Sequence, residues 1–357
     1  MPTSLDLEGD VVDLLRTLID VESVSGNEEP IADLVEAALR PYRHLRVSRE
    51  GNVVIARTEL GRPERVVVAG HLDTVPIAGN VPSTVTEEAG RTLVWGRGAC
   101  DMKGGVAAQL SAAAVLTEPR RDVTWLFYDN EEVEERLNGL KRLASSHPEH
   151  LDAVFAVLCE PSNARIEGGC QGTMRAVVEL AGVAAHSARA WKGHNAIHDA
   201  GPVLQALAAH RPQEVVVDGL TYREGLNAVK ISGGIAGNII PDRCVVEVNY
   251  RFAPDKSPAQ AEAYVRQVLD GFPVQVTDVA AGARPGLDQP AAAEFLAAVG
   301  GEPSAKFGWT DVARFSARGV PAVNFGPGDP SKAHADDEFC PGDEVLSCRD
   351  ALVRWLG

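Results

Sequence analysis

Residues 10–18 repeat apolar side chains at intervals of three and four, which predicts an amphipathic helix. A second helix is expected just after Asn27, whose side chain suits an N-cap. Glu28 and Glu29 then favour the positive end of its dipole, and Pro30 is tolerated early in a helix. Runs of β-branched residues at 53–57 and 66–69 predict strands, the second leading straight into Gly70 and His71. Residues 106–116 are alanine-rich and predict a helix. A strand at 123–128 should end at Asp129-Asn130-Glu131-Glu132, and another at 153–158 at Cys159-Glu160-Pro161. Strand and helix alternate, so the expected class is α/β, with helices on both faces of the sheet. In such sheets functional groups collect at the carboxyl ends of strands, and His71, Glu131, Glu132 and Glu160 all fall there.

The pattern changes after Gly172. Longer alternating strands are predicted at 174–180, 229–235 and 244–252, with helices at 196–208 and 258–269. A stretch rich in Gly, Pro and Ala at 281–290 reads as a returning linker. The first pattern then resumes: a strand at 321–325, His334 in the loop after it, and a closing helix at 345–355. At 357 residues the chain exceeds what one ordinary core covers. The expected organisation is therefore one domain in two parts, 1–173 and 285–357, carrying a smaller α/β domain inserted at 174–284.

Hydrophobic residues make up 45% and charged residues 24%, an ordinary globular composition. The formal net charge of −16 disfavours non-specific attraction to nucleic acid or an anionic membrane surface. No apolar run reaches the roughly 18 residues of a membrane span, and the acidic start MPTSLDLEGD does not read as a signal peptide. The six cysteines are scattered without CxxC spacing, which predicts free thiols in a reducing cytoplasm.

The segment WGRGACDMKGG at 95–105 sets a single carboxylate, Asp101, between glycine-rich turns ahead of a helix. Glycine permits sharp turns and close approach of other groups. In His71-Leu72-Asp73 the two polar side chains share one side of an extended segment. His71 could then ligate a metal while Asp73 orients its ring. Glu131 and Glu132 are adjacent acids, and two such groups repel unless a cation is near. Glu160 ends an otherwise apolar strand, an expensive place for an unpaired carboxylate. His334 and His186 each read alone as structural or surface histidines. Taken together, a histidine, an aspartate, paired glutamates, a further glutamate and a late histidine at strand ends suit a two-metal hydrolase.

The motifs GHLDTVP (70–76), GRGACDMKGG (96–105), NEE (130–132), CEP (159–161), GVAAHSARAWKGHNAIH (182–198) and GNIIPD (237–242) carry a resemblance. Together they resemble the co-catalytic zinc peptidases and deacylases of the M20 type, over nearly the whole chain. The resemblance implies a zinc-peptidase-like catalytic domain with a mixed sheet flanked by helices, and an inserted smaller α/β, ferredoxin-like domain that serves as dimerisation surface and lid. It implies two zinc ions per subunit, with cobalt able to substitute. One would sit on His71 and Glu160 and the other on Glu132 and His334, with Asp101 bridging. Glu131 matches the general base, Asp73 the partner of His71, and His186 a histidine that reaches a neighbouring subunit's site. A homodimer, closing on its ligand, follows. Arg251 and Asn238 match positions that hold substrate carboxylates. The expected substrate is a small N-acylated amino acid, with the activity of another deacylase or a peptidase of the family, or a metal-free binding dimer, as alternatives. Two departures stand out. Many relatives carry GRRGS where this chain has Gly169-Cys170-Gln171-Gly172-Thr173, so one arginine is missing and Arg189 is the expected stand-in. The base motif reads Asn-Glu-Glu rather than Asp-Glu-Glu.

Overall fold

The computed structural model describes residues 2–357. Two compact units emerge. The first comprises Met1–Gly168, Pro285–Ser304 and Arg314–Gly357; the second comprises Gly169–Arg284 and Ala305–Ala313. The short stretch Ala305–Ala313 thus belongs with the second unit, although it lies beyond the expected return point.

The first unit is built on an eight-stranded mixed sheet. Its order is Arg46–Glu50, Val53–Arg57, Asp122–Tyr128, Arg65–His71, Phe155–Leu158, Ala322–Asn324, Glu167–Gly168 and Ser304–Ala305. Arg65–His71 runs parallel to both Asp122–Tyr128 and Phe155–Leu158, and Ala322–Asn324 continues the parallel set. These central strands are almost wholly buried, which explains their unbroken apolar sequences: both faces are covered. Parallel strands deliver their carboxyl ends to one edge, so the loops after His71, Tyr128, Leu158 and Asn324 open on the same side.

Gly104–Val115 is buried on nearly every side between the sheet and the helices Val11–Ile19 and Gly342–Leu356. Its small residues allow that closeness. A Cβ at Gly105 would come within 2.0 Å of the Cys159 carbonyl oxygen, so only glycine lets the helix reach the strand end that carries Glu160. In Val11–Ile19 the expected spacing buries Leu14, Leu15, Leu18 and Ile19, each worth about 1.5–3 kcal/mol. The second helix departs from expectation. It runs Glu29–Leu39 with Glu28 at its N-cap and no side-chain cap. Asn27 lies outside it, its N–H turned to the Val24 carbonyl, while the Glu28 carboxylate bends back to the Gly26 N–H.

The second unit is an antiparallel four-stranded sheet ordered Gly225–Gly233, Arg243–Phe252, Gly172–Ala181, Val274–Ala280. With helices Ala196–Ala209 and Pro258–Val268 between strands, this is the β-α-β-β-α-β order of a ferredoxin-like fold. Strand side chains alternate, and the even positions Met174, Ala176, Val178, Val246, Val248 and Tyr250 pack against Ala200, Val203, Ala261 and Val265 of the helices. The odd positions form the opposite, open face. All six cysteines are free and buried. Among the described residues no helix is long and apolar enough to cross a membrane.

Candidate metal centre

His71 is the last residue of its strand and is buried. Its Nδ1 lies 3.0 Å from the Asp73 carbonyl oxygen and 3.5 Å from Asp73 Oδ1, which turns Nε2 toward Asp101 Oδ1 at 3.1 Å. The other Asp101 oxygen faces His334 Nε2 at 3.5 Å. His334 Nε2 also lies 3.0 Å from both Glu132 oxygens. Two imidazoles from distant parts of the chain therefore flank one carboxylate, each directed at a different oxygen.

Ligand atoms of His71, Asp101 and Glu160 lie within 4.8 Å of one another, as do those of Asp101, Glu132 and His334. A third such group joins His71, Glu131 and Glu132. Strand-end residues that the sequence singles out thus converge with the Asp101 turn and the His334 loop. Asp73 does more than face a histidine. Its Oδ1 accepts from the Glu131 N–H and its Oδ2 from the Glu132 N–H, both at 3.0 Å, and Ser25 Oγ donates to Oδ2 at 2.7 Å. The Asp73 carboxylate fixes the backbone that carries both glutamates.

Charge follows from this packing. Burial disfavours the charged His71 ring, yet the bonds to Asp101 and Asp73 outweigh it and hold its pKa well above the ordinary value. The bonds to Asp101 and Glu132 raise His334 to about 10. Burial would push Asp101 up, but hydrogen bonds from His334 and His71 hold it below the usual carboxylate range. Asp73 is likewise lowered: burial opposes, and His71 with the Glu131 and Glu132 N–H groups prevails. Glu132 goes the other way, raised first by burial. Three carboxylates gathered around two imidazoles suit a divalent cation, with borderline nitrogen and hard oxygen donors and a central carboxylate open on both oxygens. The residues fit a metal centre.

One element escaped the sequence reading. Glu338 is buried, and its Oε1 accepts from the Cys100 and Asp101 N–H groups while Oε2 accepts from the Gly98 N–H and from Arg97 Nη1. It shapes the turn that presents Asp101, where Gly98 has φ 80° and the Asp101–Met102 peptide is cis. Lys103 is buried behind this turn, its Nζ on the Val21 carbonyl at 2.8 Å. In sequence, Glu338 is only one acid in the run ADDEF.

The remaining candidates lie in the second unit. His186 ends the short strand Ala185–His186, which pairs with Ile239–Ile240. Its Nδ1 accepts from the Ala188 N–H at 3.0 Å. The Ser187 N–H bonds the Asn238 carbonyl at 2.9 Å, so His186, Arg189 and Asn238 share one end of the unit. Arg251 does not join them. It pairs in register with Thr173 and Gly225, at the opposite end of the sheet from Arg243 and Ala181. Eight residues of strand separate those ends by roughly 27 Å.

Residues 67–357 match the sequence model of Peptidase family M20/M25/M40. The chain belongs to that family. Its members are metal-dependent hydrolases, and this chain is a hydrolase of amide bonds. A Corynebacterium glutamicum succinyl-diaminopimelate desuccinylase is 46% identical over 99% of this chain and 97% of its own length. A Mycobacterium tuberculosis protein, provisionally given the same name, is 52% identical over 99% of both chains. An acetylornithine deacetylase of Myxococcus xanthus is 32% identical over 81% of this chain and 78% of its own. The fold is that of a Staphylococcus aureus tripeptidase, with a TM-score of 0.78 at 20% identity, covering 99% of this chain and 98% of that one. An M20 metallo-carboxypeptidase of Sulfolobus solfataricus shares it, with a TM-score of 0.73 at 16% identity, covering 97% and 98%.

Proposed function

We propose that this M20 family member hydrolyses N-succinyl-LL-2,6-diaminopimelate to succinate and LL-2,6-diaminopimelate, a step of diaminopimelate and lysine biosynthesis. The observation that carries the metal-dependent part is Asp101, with one oxygen toward each of two imidazoles at 3.1 and 3.5 Å. The substrate rests on the near-full-length desuccinylase relatives.

Two zinc ions, or cobalt in their place, would be held here, one by His71 and Glu160 and the other by Glu132 and His334, with Asp101 available to both. When bound, they polarise the amide carbonyl and make water more acidic. Glu131 accepts the proton that water gives up as its oxygen adds to the carbonyl carbon. The C–N bond then breaks, and Glu131 hands the proton to the departing nitrogen. Asp73 keeps this residue in place through the Glu131 N–H and keeps the His71 ring turned inward. His186 donates to the carbonyl oxygen as it gains charge, a contribution of roughly 3 kcal/mol in comparable sites.

His186 acts across a homodimer in this reading. Arg251 and Asn238 would both meet substrate carboxylates, yet within one subunit they lie at opposite ends of a long sheet. A small substrate reaches both only if a second copy supplies one of them. The edge strand Gly225–Gly233 supports this, because it leaves Val229 62% and Ile231 48% exposed beside Ile197 and Leu204 of the adjacent helix. Such an apolar edge invites pairing with another copy. Residues 1–173 and 285–357 then serve as the catalytic domain and 174–284 as the dimerisation and lid domain.

The test is hydrolysis of N-succinyl-LL-2,6-diaminopimelate beside N-acetylornithine, by zinc-loaded and chelator-stripped protein. Zinc-dependent release of succinate with the acetyl compound inert is the expected result. Turnover of the acetyl compound alone would move the chain to the deacetylase activity named for its Myxococcus relative.

A further inference from the structure

The open face of the second unit's sheet carries charge in an uneven way. At one end Arg243 bonds Glu179 at 2.6 Å, and further along Lys230 bonds Glu247 at 2.9 Å. Each of these cations has a carboxylate on a neighbouring strand. At the other end the pattern breaks. Arg251 stands opposite Thr173, and Arg175 stands opposite Asn249, so the two arginines are diagonal neighbours on the same face. Diagonal positions on adjacent strands lie about 7–8 Å apart, well within reach of long side chains. Neither arginine makes an ion pair among the described residues, although Asp278 lies across from Arg175 on the next strand.

Two guanidinium groups side by side repel, and Arg251 is also half-buried. Burial and the neighbouring Arg175 both push the Arg251 pKa down. In a chain with a net charge of −16, an acid could easily stand here. Other hydrogen-bonding groups surround the pair. Asn249 Nδ2 is turned to Thr173 Oγ1 and the Met174 carbonyl, and Asn227 lies opposite Asn249. Beside Arg251 the facing residue is Gly225, where a Cβ would meet only Asn227 Nδ2, at 3.5 Å. The glycine thus leaves room beside Arg251 on this face.

We propose that Arg175 and Arg251 form a carboxylate-binding pair that takes an acidic group of the substrate. Arg175, rather than Arg189, replaces the arginine missing from the 169–173 segment. It lies on the strand that follows that segment and beside Arg251 in the same chain, whereas Arg189, at the end that carries Asn238, would reach the substrate only from a second copy. The proposal rests on the hydrolysis of an acylated amino acid argued above. Paired guanidinium–carboxylate bonds are strong and geometrically selective, so the pair would choose among acyl groups by their charge.

The experiment compares parent, Arg175→Ala, Arg175→Lys, Arg251→Ala and the control Arg243→Ala, all metal-loaded. With N-succinyl-LL-2,6-diaminopimelate, Arg175→Ala should raise KM about 10- to 100-fold with kcat and metal content little changed. Arg175→Lys should recover part of this, and Arg243→Ala should match the parent. An unchanged KM in Arg175→Ala overturns the proposal. Calorimetric binding of succinate and of LL-2,6-diaminopimelate identifies which carboxylate is held, by which ligand weakens in the variant. It also separates the two failures. A parent that binds succinate through Arg175 but does not cleave the succinylated substrate ends the proposed reaction and keeps the pair. Both ligands binding equally to parent and Arg175→Ala ends the pair, whatever the turnover.

Discussion

The Glu338 carboxylate accepts the backbone N–H of Asp101 at 3.1 Å across a separation of 237 residues. The same oxygen holds the Cys100 N–H, and its partner oxygen holds the Gly98 N–H and Arg97 Nη1. The turn that presents the central carboxylate of the metal centre is thus held by a second, buried carboxylate. Removing it leaves the Gly98, Cys100 and Asp101 N–H groups without this acceptor and the buried Arg97 without its buried carboxylate, although Arg97 keeps the Pro76 and Ala335 carbonyls. Glu338→Ala should lower the stability of the metal-free protein by about 3–5 kcal/mol, read from urea unfolding. Glu338→Gln, which keeps one acceptor oxygen, should unfold closer to the parent yet bind metal more weakly by calorimetry. Parent-like metal affinity in both variants would mean the turn holds Asp101 without Glu338.

The contrast with the strand-end ligands shows what a sequence displays. His71, Glu131, Glu132 and Glu160 were legible because buried parallel strands read as apolar runs, and polar residues at their ends stand out. The strand Val53–Arg57 is found as expected, and Arg65–His71 extends the predicted 66–69 by a residue or two at each end. Glu338 was not legible, because its role depends on a turn far away in the chain. The false N-cap at Asn27 has a local cause: the Glu28 carboxylate takes the Gly26 N–H and the helix starts later. The Arg175–Arg251 neighbourhood needs a strand register, which alternation alone does not supply.

Glu131→Gln isolates the proton transfer. The amide keeps the shape of the side chain, and the backbone N–H that Asp73 holds is unchanged. The variant should retain its metal and lose roughly 10²- to 10⁴-fold in kcat, with KM little altered. Metal analysis and steady-state kinetics on one preparation check this. Retained turnover would end the assignment of Glu131 as proton acceptor.

Protons and metal compete for the two imidazoles. In the metal-free protein His334 titrates at about 10 and His71 well above its ordinary value, so both are charged near neutrality. Metal loading should then release about two protons, measurable by calorimetry in buffers of different ionisation enthalpy. The stability consequence has a definite sign. A histidine whose folded pKa is raised contributes fully below its unfolded value of about 6.5. That contribution disappears as pH rises through the folded value, about 10 for His334. Urea midpoints of chelator-stripped protein should therefore fall between these limits, and fall less in His334→Gln. Metal affinity should rise over the same range.

Subunit exchange tests whether His186 works across a dimer. If it does, each active centre draws Glu131 from one chain and His186 from the other. Glu131→Gln and His186→Ala homodimers should both be nearly inactive. Mixed and allowed to exchange, they form heterodimers in which one centre pairs the intact Glu131 of one chain with the intact His186 of the other. Random exchange makes about half the dimers mixed, each with one working centre, so activity should return to about a quarter of the parent's. Placing a charge on the exposed edge strand, Ile231→Asp, should lower the mass in solution to that of one chain and abolish this recovery. If the mixture stays inactive while light scattering shows dimers exchanging, His186 does not serve the neighbouring subunit. The roughly 27 Å between Arg251 and the His186 end would then have to be closed within one chain, which the continuous ladder from Arg243 to Phe252 opposes.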